Sequence, residues 1–232
     1  EKHFKNHQNF NTEFIIVEGT QLTQLLHWSH IKKIDLFVTG HKKKSQGSGI
    51  LPHRLARRAA CSVLFVPENA KLQCEKIFVC LDFSKNSRFA LDKAINIAQL
   101  TGATIHCHHI YSVPTGFHTS GKSFHEYAAI MKNHAKKRYD KYISETKTPE
   151  GVEIVPVFSV DKGGKAPLVF TQKARAVKTD LILVSSKGRS SLAALILGSF
   201  TERVIGYEHK SVILVVKDKK KNMGALEASL KV

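Results

Sequence analysis

The chain has 232 residues, enough for one large domain or two small ones. Its 42% hydrophobic content and mean hydropathy of −0.18 are those of a soluble globular protein; no apolar run is long enough to span a membrane, and the polar first residues lack the apolar stretch of a signal peptide. The net charge of +17 invites anionic partners, but outside Lys42–Lys44, Arg57-Arg58, Lys136–Arg138 and Lys219–Lys221 the cations are dispersed, and only Tyr139 and Tyr142 lie near any run, which argues against a nucleic-acid stacking platform.

The four cysteines (61, 74, 80, 107) form no C-x-x-C pair, and three sit in or beside apolar strand patterns. They read as buried reduced thiols, which fits a cytoplasmic location.

In chain order, residues 14–18 (FIIVE) form a short apolar run followed by a helix-like segment. Residues 34–42 (IDLFVTGHK) predict a strand running to Gly40, and residues 61–66 (CSVLFV) predict another. Residues 76–82 (KIFVCLD) form an apolar strand ending in an acid. Ser84 can cap a helix with Ala90, Leu91, Ala94, Ile95 and Ala98 on one face, and Gly102 stops it. A strand at 104–110 (TIHCHHI) precedes a Gly/Thr/Ser-rich loop and a helix from Phe124 to Ile143. Strand 153–158, helix 166–177, strand 180–185, helix 199–208 and strand 211–216 follow. Alternating strands and helices imply a mainly parallel sheet with helices on both faces.

Parts of this pattern repeat. Residues 34–42 read against 179–187 (TDLILVSSK), 61–66 against 210–215 (KSVILV), and 14–18 loosely against 154–158. By this count the first copy lacks two strands and their helices. Residues 1–68 are expected to be the C-terminal part of a degenerate first domain, 69–74 a linker, 75–217 a complete second domain, and 218–232 a basic tail. The expectation is of a fragment, or of a chain that has lost earlier residues.

The densest functional signal lies between Asp180 and Ser199 (DLILVSSKGRSSLAALILGS). An apolar strand runs into Gly188, and the Gly198-Ser199 pair follows just before a helix pattern. Exposed backbone N–H groups and the positive end of a helix favour an anion such as phosphate there. The plain alternative is an ordinary strand–loop–helix connection with a serine cap.

These residues resemble the universal stress protein family, across residues 75–217. The family signature is Gly, two residues, Gly, nine residues, Gly, then Ser or Thr. Here it reads Ser185, two residues, Gly188, nine residues, Gly198-Ser199. Leu81-Asp82-Phe83-Ser84 running into Ser87 and Ala90-Leu91 is similar to the family's first strand and helix. The resemblance implies a five-stranded parallel sheet with helices on both faces (adenine nucleotide alpha hydrolase-like), in a tandem chain whose first copy is incomplete. It also implies ATP or another adenine nucleotide, with or without Mg²⁺, at the C-terminal ends of the first and fourth strands. Carried over, Asp82 sits near the ribose or adenine and Ile110 lines the adenine side. Val184, Ser185 and Gly188 border the ribose and phosphates. Gly198, Ser199, Phe200 and Thr201 cradle phosphates at a helix N-terminus, and Lys187 and Arg189 add charge at the rim.

Ser185 departs from the signature glycine. If the position needs a left-handed backbone or very close approach, serine costs on the order of 1 kcal/mol or more. In the first copy Lys43 replaces the second glycine and Gly49-Ile50 stands where Gly-Ser belongs, so no nucleotide is expected there. Strands 61–66 and 211–216 are expected to pair, giving a dimer-like internal arrangement.

Residues 116–123 (GFHTSGKS) also satisfy the P-loop pattern G-x-x-x-x-G-K-[ST]. This carries the alternative of an NTPase in which Lys122 reaches the phosphates and Ser123 holds Mg²⁺. Against it, strand 104–110 ends early, and the only acid placed after a downstream strand pattern, Asp161, follows a run interrupted by Pro156 and Ser159. The thirteen histidines, with His106 and His108 on one strand face and His109 on the other, read as satisfied or exposed side chains rather than a zinc site. Ser186, Ser190 and Ser191 have no evident base, so the reading is of a regulatory nucleotide-binding protein, with slow ATP hydrolysis as the most activity implied. The remaining alternative is a nucleotide-free interaction module.

Overall fold

Ile77, Phe78 and Val79 are consecutive and fully buried, so the strand that holds them, β3 (Lys76–Cys80), must be covered on both faces. The computed structural model describes residues 11–41, 50–70, 73–188, 197–207, 210–220 and 222–223. Arg189, Ser190, Ser191, Lys43, Gly49, His3, His7 and most of the 218–232 tail lie outside the described residues.

In chain order the elements are α1 (Gln21–Ile31), β1 (Leu36–His41), α2 (Ile50–Arg58), β2 (Ser62–Pro67), β3, α3 (Lys85–Thr101), β4 (Thr104–Ser112), α4 (Phe124–Ser144), β5 (Ile154–Asp161), α5 (Ala166–Val177), β6 (Leu181–Ser185), α6 (Ser199–Gly206) and β7 (Val212–Val216). The seven strands form one sheet in the order β1-β2-β7-β6-β3-β4-β5. Every pairing is parallel except β2 with β7.

Helices cover both faces. Leu26 of α1, Leu55 of α2, Phe170 of α5 and Val204 of α6 share one core with Val63, Phe65, Ile213 and Val215 of the sheet. Leu91 and Ile95 of α3 and Tyr139 and Tyr142 of α4 pack with Ile77, Val79 and Ile105 on the other. The local signals act as expected. The Ser84 side chain accepts the Ser87 N–H at 3.1 Å to start α3, and Gly102 ends it in the left-handed region. Ala90, Leu91, Ala94, Ile95 and Ala98 form the buried stripe of that helix.

The expected five-stranded sheet is corrected to seven strands. Residues 75–217 do supply five mutually parallel strands, β3 to β7, but β7 does not end the sheet. Left as an edge, β7 would expose its backbone groups and the fully buried Ile213 and Val215. Instead β2 pairs antiparallel with it, Leu64 opposite Leu214, and β1 extends the sheet beyond β2.

Two smaller expectations also change. Residues 14–18 form no strand; Phe14 and Ile16 are 67% and 98% exposed, because no described strand lies beside β1 to pair with this segment. The strand expected to stop at residue 158 runs on to Asp161 through Pro156 and Ser159. It is an edge strand, where a missing N–H is tolerated.

Side chains after β7 fasten the junction. The buried Lys217 donates from Nζ to the carbonyls of Ala59 (2.6 Å) and Arg57 (3.4 Å), at the end of α2, and its N–H donates to Ser62 Oγ at 3.1 Å. Lys219 pairs with Asp35, and Arg57 of α2 pairs with Glu202 of α6. Burial holds the Lys217 ammonium down to about 7, against a weaker opposing effect of Cys61.

An unfolded lysine protonates near its ordinary value of about 10.4, so between that value and about 7 protons bind the unfolded chain preferentially. Stability should therefore rise with pH from about 7 toward 9.5. Urea unfolding at stepped pH should show this slope, and Lys217→Met should flatten it.

Candidate functional site

From β3 the chain steps to β4 and β5 on one side, then returns to β6 and β7 on the other. The crevice between the C-terminal ends of β3 and β6 is therefore the switch point of the sheet, where open α/β folds bind ligands. The loop after β3 carries Asp82, and the loop after β6 carries Ser185 to Gly188.

These two loops meet. A Cβ added at Gly188 would stand 3.4 Å from Asp82 Oδ2. Asp82 Oδ1 accepts the Ser84 N–H at 3.0 Å, which fixes the carboxylate at the start of α3. Gly198 closes in from the other side: its N–H donates to the Ser186 carbonyl at 2.7 Å, and an added Cβ would lie 3.4 Å from that oxygen and 3.7 Å from Gly188 N. Neither glycine has a positive φ, so left-handed geometry does not call for glycine here; a Cβ added at either would reach van der Waals contact with these neighbours.

Gly198 precedes α6 and offers no side-chain cap, so the first N–H groups of that helix open beside the exposed Ser199. The helix is pinned to the strand by Thr201, whose hydroxyl donates to the Ser185 carbonyl at 2.7 Å. Ser185 has no positive φ, and its Oγ donates to the Lys187 carbonyl at 2.9 Å. The serine thus carries no left-handed strain and fastens the loop that leads to Gly188.

Residues 74–216 match the universal stress protein family. The chain belongs to that family. Its structure is similar to that of a putative universal stress protein from Pseudomonas aeruginosa UCBPP-PA14, at 16% identity and a TM-score of 0.63, covering 93% of this chain and 74% of that one. A functionally unknown protein from Pseudomonas aeruginosa PAO1 gives 17% identity, a TM-score of 0.62 and coverage of 92% and 73%. A universal stress protein from Archaeoglobus fulgidus DSM 4304 gives 19%, 0.55, and 84% and 64%. At these identities the likeness is one of fold.

Within this family framework the other site residues fall into place unevenly. Ile110 is half-buried and packs against the core on the α5 side. Val184 is 1% exposed and belongs to that same core, so it offers almost no surface to the crevice. Phe200 is half-buried, edge-on to Phe170 at 5.6 Å. Lys187 was expected at the rim but is buried, near enough to Lys217 to help lower it.

Two residues beside Asp82 take on roles that the sequence did not assign them. Phe83 sits at φ 62, a left-handed backbone rare for an aromatic residue. Its ring lies 4.2 Å from that of His109 and 5.4 Å from that of Tyr142, with the Arg138 guanidinium 4.9 Å away. His109 donates from Nδ1 to the Leu81 carbonyl at 2.8 Å, tying the end of β4 to the chain just before Asp82. Together they hold the Asp82 turn in place.

The P-loop match takes a different form. Thr115–Ser120 is a 3₁₀ turn, and Ser123 caps α4 in a reciprocal box with Glu126, its N–H donating to Oε2 at 2.8 Å. The Ser123 hydroxyl donates to the same oxygen at 2.7 Å. The Phe117 and Gly121 amides and the Thr119 and Ser120 hydroxyls all donate to carbonyls of residues 114–118, within the segment's own turns.

His106 and His108 do share a face. His108 stacks on Phe170 at 5.6 Å and its Nε2 lies 2.9 Å from Ser159 Oγ. Burial, with Lys173 adding to it, pushes its imidazole down to about 3, so the ring is neutral. The unfolded histidine protonates near 6.5, so stability should fall as pH drops from about 6.5 toward 3. His108→Phe should flatten that acid limb in urea titrations.

Proposed function

We propose that the β3/β6 crevice binds an adenine nucleotide, ATP in the first instance, and that the protein acts as a nucleotide-responsive regulator in the stress response. The observation that carries this reading is the convergence of Asp82, Gly188 and the uncapped start of α6 at the switch point. Glycine at 188 and 198 suits a nucleotide, because without a Cβ the backbone N–H groups stay open to phosphate.

In this reading the start of α6 and Ser199 hold phosphoryl oxygens, and Asp82 accepts hydrogen bonds from ribose hydroxyls. Ile110 gives the base an apolar wall, and Arg189 adds charge. A bound triphosphate would bring phosphoanhydride chemistry and, with it, Mg²⁺. Among the described residues no three His, Cys, Asp or Glu side chains are grouped to hold a metal, so phosphate oxygens would be its main ligands. Occupancy would be felt by α6, whose Thr201 bonds to β6 and whose Glu202 pairs with Arg57 of α2.

The same proposal takes residues 1–68 as the back half of a first, eroded unit and 75–217 as the nucleotide-binding unit, in a cytoplasmic protein. It is supported by the antiparallel β2–β7 join, which sets one parallel pair, β1 and β2, against another, β6 and β7, as two subunits would be.

Isothermal titration with Mg-ATP tests the reading. Gly198→Val places bulk against the Ser186 carbonyl and over the first α6 amides, and should weaken binding by at least about tenfold, or about 1.4 kcal/mol, with the melting temperature unchanged within a few degrees. Ser185→Gly, which restores the family residue, should change affinity by less than about threefold, because Ser185 carries no left-handed strain. Equal affinity for Gly198→Val and the parent protein would remove the crevice from the proposal. No ATP binding at all would favour the interaction-module alternative.

A further inference from the structure

The two parts of the chain meet at the C-terminal edge of β6 and β7. Ser185 of β6 lies opposite Val216 of β7, and the Ser186 N–H donates to the Val216 carbonyl at 3.0 Å. The next residue, Lys217, holds the carbonyls of Ala59 (2.6 Å) and Arg57 (3.4 Å). Asn222 adds a bond from Nδ2 to the Ala60 carbonyl at 3.4 Å. The C-terminal end of α2 is therefore fastened beside the loop that carries Ser186 to Gly188.

The side chain that this fastening delivers is Arg57. The helix around it is buried, with Leu55 at 3% and Ala56 and Ala59 at 0% exposure. The Arg57 side chain, by contrast, is 56% exposed, and it pairs with Glu202 of α6, itself 39% exposed. An ion pair so open to water adds little to stability.

Its position matters more. Glu202 is the acid in the first turn of α6, a helix whose start no side chain caps. At about 1.5 Å of rise per residue, Glu202 lies within about 6 Å of the helix start along its axis. An acid is ordinarily favourable there, because it meets the positive end of the helix dipole. Beside a polyphosphate the same charge has the wrong sign. It competes for the helix end, and it repels the ligand over a range that salt screens only beyond about 8 Å. Pairing with Arg57 offsets that charge and leaves the first α6 amides and Ser199 open.

We propose that Arg57 is a charge-compensating residue of the β3/β6 crevice. By pairing with Glu202 it makes the start of α6 acceptable to a polyphosphate, so residues 1–68 supply a part of the site that residues 75–217 do not contain. The inference rests on the nucleotide reading of the crevice. It gives the first part of the chain a role even though that part binds no nucleotide itself. It also demands a dependence on ligand charge: without Arg57, one uncompensated carboxylate faces the ligand, and a triphosphate feels it more than a monophosphate or a nucleoside.

Isothermal titration of the full chain with ATP at low ionic strength, and displacement of ATP by AMP and by adenosine, measure this. Arg57→Gln should weaken ATP by at least about fivefold, AMP by less, and adenosine by less than about twofold. Arg57→Lys, which keeps the charge, should stay within about twofold of the parent. Adding Glu202→Gln to Arg57→Gln should bring ATP back to within about twofold of the parent, a rescue that a merely structural role would not give. Melting temperatures within a few degrees of the parent show the variants folded. The inference is overturned, with the nucleotide reading intact, if the parent binds ATP and Arg57→Gln binds it equally well, weakens ATP and adenosine alike, or is not rescued by Glu202→Gln. If the parent binds no ATP, the nucleotide reading falls and this inference with it.

Discussion

The antiparallel register between β2 and β7 is the constraint on which the rest of this molecule depends. Parallel strands β3 to β7 would by themselves present β7 as an edge, with apolar side chains on both faces and an open row of backbone groups. Pairing Val63, Leu64 and Phe65 with Val215, Leu214 and Ile213 satisfies the backbone and merges the helices α1 and α2 into the same core as α5 and α6. Lys217 then caps the end of α2 from within that core. Burying an ammonium is costly, and its lowered proton affinity is the measure of that cost.

At the other end of the sheet the controlling fact is strand order. Because the chain leaves β3 in one direction and comes back on the other side, the loops after β3 and β6 face each other with no connection between them. Glycine at 188 and 198 lets the backbone there come close. The His109–Leu81 bond, the left-handed Phe83 and the Thr201–Ser185 bond anchor the turns on either side of it.

Most of the β3–β7 half was legible in the sequence because its periodicities are strong. The α3 stripe, the Ser84 cap and the helix at 166–177 needed no tertiary information. Gly188 and Gly198 stood out by their spacing and Asp82 by the family resemblance, and the structure brings the three together. What escaped depends on packing. Nothing in the letters tells that Val184 turns into the core, that Lys187 is buried, or that Phe83 adopts φ 62. Pro156 looked like an interruption because edge position, which makes it harmless, is a property of the sheet. The FIIVE segment shows the reverse case: strong strand propensity with no described strand beside it to pair with.

The β2–β7 pairing also joins residues about 150 positions apart, such as Val63 and Val215. Contacts of that range carry a larger loop-closure entropy than the more local β3–β4 and β4–β5 pairs and are expected to form after them. Until they form, β2 lies unpaired next to the β1 edge and the apolar Phe14–Val17 stretch, both of which stay exposed in the folded chain. The timing of one join therefore sets how long a nascent chain stays vulnerable to pairing with its neighbours, and makes this junction the point at which folding and aggregation compete.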